Sequence, residues 1–300
     1  MTGFVNKLAL ATSVAVGMTA IGSTSALALS LANPQFGGTA ASDFLSYCSN
    51  GKSTFAGETC TDSLSTILSG NSIAPGGNIE LAKSSEQSEF DFTKNTTLTG
   101  TIGGKDIVIS SLTQADWNSV QSNGKTLLSQ WLDDAFLANN VTLTPTQRAG
   151  AQQAFIANKG MQRFSDPNIS YVNKNATTGE ISIGLAGHFN ASNLLKAALG
   201  NHPGLSSLIP ATVQASELVK VIYNSGPAQF LYSFAATASG QANNLGGGND
   251  GISHNGNYEV KLAGVPVPPV TSVPEPSTML ALMAVGGLFA TAKRKSAKNV

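Results

Sequence analysis

The stretch TLTGTIGGKDIVIS, residues 97–110, carries the plainest statement of the fold. Two β-rich runs, Thr97–Ile102 and Lys105–Ser110, flank Gly103-Gly104. Paired glycines adopt the positive φ angles of a two-residue turn, so this pattern predicts an antiparallel hairpin. Working outward, the pattern recurs. Ile169, Tyr171 and Asn173 lead to the turn-forming Asn175-Ala-Thr-Thr-Gly179, after which Ile181, Ile183 and Leu185 alternate. Glu217–Tyr223 and Gln229–Ala235 flank Asn224-Ser225-Gly226-Pro227, a third hairpin signal. A helix over 216–223 also fits, because Leu218, Val219 and Ile222 share a helical face. Ile79–Lys83, Phe90–Phe92 and Tyr258–Leu262 read as further short strands.

A helical block lies between the first two hairpins. Thr113 and Asp116 form a capping-box-like pair before Trp117 and Val120. Asn123-Gly124 interrupts that helix. Leu128, Trp131, Leu132, Ala135 and Phe136 then recur at helical spacing. Thr144-Pro145-Thr146-Gln147 starts another helix, with Thr as cap and Pro at the first position. Phe155 and Ile156 form its apolar face, and Gly160 its stop. Ser192–Leu199 reads as a helix ended by Gly200. Ser42–Tyr47 and Asp62–Leu68 read as short helices, the second capped by Asp62. Gln241–Asn257 reads as a Gly/Asn-rich loop. No repeat with a period of 20–50 residues occurs. The expected fold class is α+β: one exported domain with mainly antiparallel hairpins around a central helical block.

Charge locates the segments that flank this domain. The 300 residues carry 17 basic and 17 acidic side chains, with few charges overall. Lys7, Lys293, Arg294, Lys295 and Lys298 account for five of the basic residues, leaving 12 basic against 17 acidic ones over 29–276. The body is therefore acidic and both ends are basic. An acidic body argues against nucleic-acid binding, which needs a basic face for phosphate.

The N-terminus has a short region with Lys7, an apolar stretch from Leu8 to Gly22, and small residues ending in Ala26-Leu27-Ala28. Ala26 and Ala28 supply the small-x-small pattern of signal-peptidase cleavage, so residues 1–28 read as a Sec signal peptide. The competing reading is a permanent N-terminal anchor. At the other end, a Pro-rich stretch leads into Pro274-Glu275-Pro276. The apolar run Thr278–Ala292 and the cluster Lys293-Arg294-Lys295 follow. The run is 15 residues, or ~22 Å as a helix, against a bilayer core of ~30 Å. The basic cluster holds its side in the cytoplasm.

Together these three C-terminal elements resemble the PEP-CTERM sorting signal of exported proteins in Gram-negative bacteria, many of which make exopolysaccharide. The resemblance implies cleavage by an exosortase near Pro274-Glu275-Pro276. It also implies a transient inner-membrane stage before release to, or attachment at, the cell surface, envelope or extracellular space. The alternative is an ordinary tail anchor behind a Pro-rich linker. The order of elements also loosely resembles an uncharacterised family of cyanobacterial PEP-CTERM proteins. The resulting organisation is a signal peptide over 1–28 and an exported domain over 29–264. A Pro-rich linker (265–277), a transmembrane segment (278–292) and a basic cytoplasmic tail (293–300) complete it.

Little in the body signals chemistry. Cys48 and Cys60, twelve positions apart, are expected to form a disulfide after export. His188, His202 and His254 fall in no local metal spacing and read as polar loop residues, although a three-His site assembled in space stays open. No nucleophile elbow, phosphate loop or dinucleotide fingerprint occurs. Asp133-Asp134 reads as a solvated helix face, since adjacent helical carboxylates diverge. Leu245–Ile252 resembles one degraded copy of a calcium-binding Gly/Asp repeat, and reads as a flexible loop. Asp166-Pro-Asn168-Ile-Ser170 mimics the first ligands of an EF-hand loop, but Tyr171 stands where Gly is needed and Thr177 where Glu should be. Asn-x-Ser/Thr triplets at Asn95, Asn140, Asn168, Asn175 and Asn190 add to a neutral, hydrogen-bonding surface that suits a hydrated polysaccharide matrix.

The expectation is a non-enzymatic structural or interaction protein of the cell envelope or extracellular matrix, with no cofactor or metal. Its processing partners are signal peptidase and an exosortase, and exopolysaccharide is its candidate ligand. The alternative is a secreted hydrolase or carbohydrate-binding protein; carboxylates converging in a cavity favour the first, and exposed Trp117 or Trp131 the second. Intact-mass measurement of the mature protein tests the processing scheme. In a strain with active exosortase, residues 1–28 and 278–300 should both be absent. A mature species that retains 278–300 contradicts it.

Overall fold

The computed structural model describes residues 28–245 and 252–267. Ala28, the last residue of the expected signal peptide, opens the first strand. Ala26, Pro274-Glu275-Pro276, residues 278–292 and Lys293-Arg294-Lys295 lie outside the described residues. Among the described residues no helix is long and apolar enough to cross a membrane.

Fourteen strands and seven α-helices follow one another among these residues. The strands are β1 (Ala28–Ser30), β2 (Ala32–Gly38), β3 (Phe44–Ser49), β4 (Ser53–Ala56), β5 (Gly77–Leu81), β6 (Thr96–Ile102), β7 (Lys105–Ser110), β8 (Asn168–Asn175), β9 (Ile181–Gly187), β10 (Val219–Tyr223), β11 (Gln229–Leu231), β12 (Ala236–Ala238), β13 (Ala242–Leu245) and β14 (Gly256–Leu262). The helices are α1 (Leu64–Ile67), α2 (Gln114–Trp117), α3 (Leu127–Ala138), α4 (Pro145–Ala157), α5 (Gly160–Arg163), α6 (Ser192–Ala198) and α7 (Pro203–Ser206).

The strands form two sheets. One runs β12-β14-β9-β8-β5-β3-β4-β13, with β1 also paired to β8; the other runs β11-β10-β7-β6-β2. Pairing is antiparallel except between β13 and β4. The fold is thus mixed and sheet-rich, with the antiparallel character that the hairpins predict. The sheets share one core. Ile183 and Leu185 from the first sheet pack with Leu98, Ile109 and Val221 from the second. Alternate residues of β10 point inward, as Val219, Val221 and Tyr223, whereas the central strands β5, β8 and β9 are covered on both faces. Lys174, fully buried on β8, crosses between the sheets and donates to the Tyr223 hydroxyl on β10 at 3.1 Å.

The helical block has a second core of its own. Trp117, Trp131, Phe155 and Phe164 interlock, with Trp117 and Trp131 edge-to-face at 5.9 Å. Both tryptophans are fully buried, so neither offers a sugar-stacking platform. The caps read from the sequence are present. Thr113 with Asp116 and Thr144 with Gln147 each complete a capping box. Gly103 and Gly104 hold φ angles of 58° and 73° in the β6–β7 turn.

Several local expectations are overturned. Ser42–Tyr47 is not a helix: Phe44–Ser49 is strand β3, bonded on one side to β5 and on the other to β4. Sheet partners distant in sequence override its weak helical preference. Phe90–Phe92 is turn rather than strand, because Asp91 Oδ1 accepts from the Thr93 N–H and hydroxyl. Ser63, not Asp62, caps α1. Residues 219–223 are strand, not helix. The stop after α4 falls at Asn158, while Gly160 opens α5. A Cβ at Gly160 would lie 2.5 Å from the Phe155 ring, so its missing side chain serves packing. Ile156 is 50% exposed, off the apolar face. Part of the Gln241–Asn257 stretch is strand, as β13 and the start of β14. Most of Leu245–Ile252 lies outside the described residues.

Trp131→Ala should lower stability by about 3–5 kcal/mol through loss of packing and an unfilled cavity. Ile156→Ala should change it by less than about 0.5 kcal/mol. Urea unfolding of both variants measures the difference.

Candidate functional site

The largest gathering of titratable groups lies where the two cores meet. Five consecutive residues, Phe164 to Asn168, carry the chain from α5 into β8. Phe164 O accepts from Leu218 N at 2.9 Å and Ser165 O from Leu112 N at 3.0 Å. The Ser165 hydroxyl accepts from Trp117 Nε1 at 2.7 Å and donates to Met161 O. Pro167 O accepts from Leu81 N at 3.2 Å. These bonds fix the directions of Asp166 and Asn168.

Glu80 sits on β5 directly opposite Asn168 across the β5–β8 ladder. Cross-strand neighbours of this kind project to the same side. Glu217 arrives just before β10, and its Oε2 accepts from the Asn168 backbone N–H at 3.1 Å. Asp166 Oδ2 accepts from the Ser85 hydroxyl at 2.5 Å, and Glu80 Oε2 from the Tyr47 hydroxyl at 3.2 Å. Three carboxyl groups therefore line one cleft of about 570 Å³, together with Lys83, Arg163, His188 and His254. Arg163 pairs with Glu86 at 2.7 Å on the lip. His254 Nδ1 bonds the Thr54 hydroxyl at 2.7 Å, and its ring meets Tyr47 edge-on.

Burial dominates the electrostatics. It pushes the Glu80 carboxyl from 4.5 up to about 7, while the Tyr47 hydroxyl pulls the other way and Asp43 adds to the rise. Asp166 is raised well above the ordinary aspartate value by burial and then by the Glu80 charge. Glu217 is likewise raised by burial, then by Asp166 and Glu80. A carboxyl in such a place favours its neutral form.

The residues singled out from sequence fall in different places. Cys48 on β3 and Cys60 form the disulfide, with Cα atoms 5.2 Å apart. His188 and His254 share the cleft, but His202 lines a separate groove between α4 and the α6–α7 turn. The described residues thus gather two of the three histidines, not three. Asp133 and Asp134 are not a solvated face. Asp133 bridges Lys125 and Arg148, and Asp134 accepts from the Tyr232 hydroxyl at 2.7 Å. The segment that mimics an EF-hand opening runs into strand β8 instead of a loop. Among the described residues no three His, Cys, Asp or Glu side chains group to hold a metal ion. Sequence reasoning missed Glu80 and Glu217; their one signal is a lone carboxylate beside apolar strand residues, as in Ile79-Glu80-Leu81.

Fold and site define a sheet-rich α+β domain with a carboxyl-lined cleft between its two cores. The family of the PEP-CTERM protein-sorting motif matches residues 272–295. The chain therefore carries a PEP-CTERM sorting motif, which implies an exosortase-targeted protein exported to the cell envelope or surface. No curated protein and no solved structure matches it.

The Glu80 shift gives stability a signed pH dependence. Below pH 4.5 both states hold the proton and nothing is lost. Between pH 4.5 and about 7 the unfolded chain releases a proton that the fold keeps. Stability therefore falls as pH rises, by about 3 kcal/mol from this group. Asp166 and Glu217 act in the same direction. Urea midpoints across this range should decline with pH, and Glu80→Gln should flatten the decline.

Proposed function

We propose that the exported domain acts by binding rather than catalysis, as a structural or interaction protein of the envelope or extracellular matrix. The cleft is its contact surface. The observation that carries this reading is the position of the cleft relative to the tail. Val267 N donates to Ala176 O at 2.9 Å, in the turn between β8 and β9. Gly264 closes on Gly179 in the same turn. The chain toward the sorting motif therefore departs from the C-terminal end of β8. Asp166 and Asn168 mark the other end of that strand. From Asn168 to Asn175 the extended chain covers ~23 Å. A domain tethered through its tail holds the cleft away from the point of attachment.

The chemistry of the cleft supports the same reading. Burial raises Glu80, Asp166 and Glu217 alike, so the cleft presents carboxyl groups that can donate hydrogen bonds as well as accept them. Ser84, Ser85, Gln87 and Asn168 add hydroxyl and amide groups to the lining, which suits a hydrated polysaccharide. In this reading signal peptidase removes residues 1–28, and residues 278–292 anchor the chain transiently in the inner membrane. Lys293-Arg294-Lys295 hold the cytoplasmic side, and an exosortase then cuts near Pro274-Glu275-Pro276.

A secreted polysaccharide hydrolase is the second reading, favoured by three carboxyls and two histidines in one cleft. Co-sedimentation of the purified protein with exopolysaccharide, followed by a reducing-end assay, separates the two. Wild type should co-sediment without releasing reducing ends, and Glu80→Gln and Glu217→Gln should each weaken retention several-fold. Release of reducing ends would transfer the assignment to the hydrolase. Neither retention nor release would contradict both.

A further inference from the structure

The geometry points to a calcium site at the floor of the cleft, formed by the Asp166 and Glu217 carboxylates and the Asn168 side-chain carbonyl. Asp166 Oδ1 and Asn168 Oδ1 are both buried, and neither has a hydrogen-bond partner. Their side chains belong to residues only 8% and 9% exposed, and both residues line the cleft. Buried acceptors are normally satisfied. Two orphaned oxygens from residues two apart mark a place for a group that takes lone pairs.

The hydroxyl and backbone donors at these carboxylates are already committed. The Ser85 hydroxyl serves Asp166 Oδ2, and the Asn168 backbone N–H serves Glu217 Oε2. Arg163 pairs with Glu86 through Nη1, and its Nε, also buried, has no partner. One such donor serves one acceptor, so at least one orphaned oxygen is left for a cation. The donor set is hard oxygen: two carboxylates and an amide carbonyl. Calcium takes these ligands readily and completes its shell with water, whereas softer metals prefer nitrogen and sulfur.

Local structure explains the placement. Asp166 lies in the bend just before β8 and Asn168 is the first residue of that strand, and both line the cleft. The bond from Leu218 N to Phe164 O at 2.9 Å brings Glu217 alongside them. The Asp-x-Asn spacing that opens an EF-hand here straddles a bend and the first residue of a strand. Two carboxylates and one amide leave the remaining positions to water from the cleft. So low a ligand charge suits the weak end of calcium affinity, as in extracellular modules at ~10⁻⁴–10⁻³ M. The site stands whether or not polysaccharide occupies the cleft.

Calorimetric titration of chelator-treated, purified protein with calcium chloride tests the site, with thermal unfolding as a second readout. Wild type should bind one calcium ion with millimolar or tighter affinity and unfold at a higher temperature in its presence. Magnesium chloride at equal ionic strength should produce a smaller shift. Asp166→Asn and Glu217→Gln should each weaken binding by more than about tenfold, and Asn168→Asp, which adds a carboxylate, should tighten it. Absence of both heat and thermal shift in wild type at ~10 mM calcium overturns the site. So does equal binding in Asp166→Asn and Glu217→Gln. If those variants fail to fold, the wild-type titration and the Asn168→Asp response decide alone.

Discussion

Five residues, Phe164 to Asn168, hold the two halves of this domain in register. Each carries a bond to one of three distant stretches of the chain: Leu218 and Glu217, Leu112 and Trp117, and Ser85 and Leu81. Phe164 belongs to the helical core, and Ile169, one residue beyond Asn168, to the sandwich core. Buried backbone groups must find partners, so the position of this short segment is dictated from both sides. The cleft is a consequence. Asp166 is buried because the segment passes between two packed cores; Glu80 reaches it through the β5–β8 ladder, and Glu217 through the bonds of Leu218 N to Phe164 O and of Asn168 N to Glu217.

Much of the framework was legible where turn and cap chemistry is local. Gly103-Gly104 marks its hairpin because few other residues hold two positive φ angles. Thr113 with Asp116 and Thr144 with Gln147 mark helix starts, because a side chain must satisfy the free N–H groups there. Strand β3 was not legible. Its six residues show no clear alternation, and its strand character comes from β4 and β5. The sharing of one core by two sheets was also invisible, since no periodicity records which buried faces meet. The cleft was the hardest part to foresee. Glu80, Asp166 and Glu217 come from distant parts of the chain, and no spacing rule joins them. Asp166 and Asn168 stood out as a ligand-like pair, but only the folded chain shows that both line the cleft.

The fold and the sorting signal are tied together by β8. One end of this strand meets the carboxyl cluster, and the other end meets the chain leading to residues 272–295. The acidic body inferred from the charge distribution has a particular internal feature. Three of its carboxyls, Asp166 buried and Glu80 and Glu217 half-buried, are gathered in the cleft, while Asp133, Glu86 and Glu180 are paired with cations.

Everything above depends on burial of the carboxyl cluster by the segment between the cores. Carboxyl-carbon NMR titration of isotopically labelled protein reads this site by site. Glu80 should titrate near pH 7, with Asp166 and Glu217 well above ordinary carboxyl values. A Glu80 midpoint near its ordinary 4.5 would show that the three groups face water separately, and would contradict the cleft.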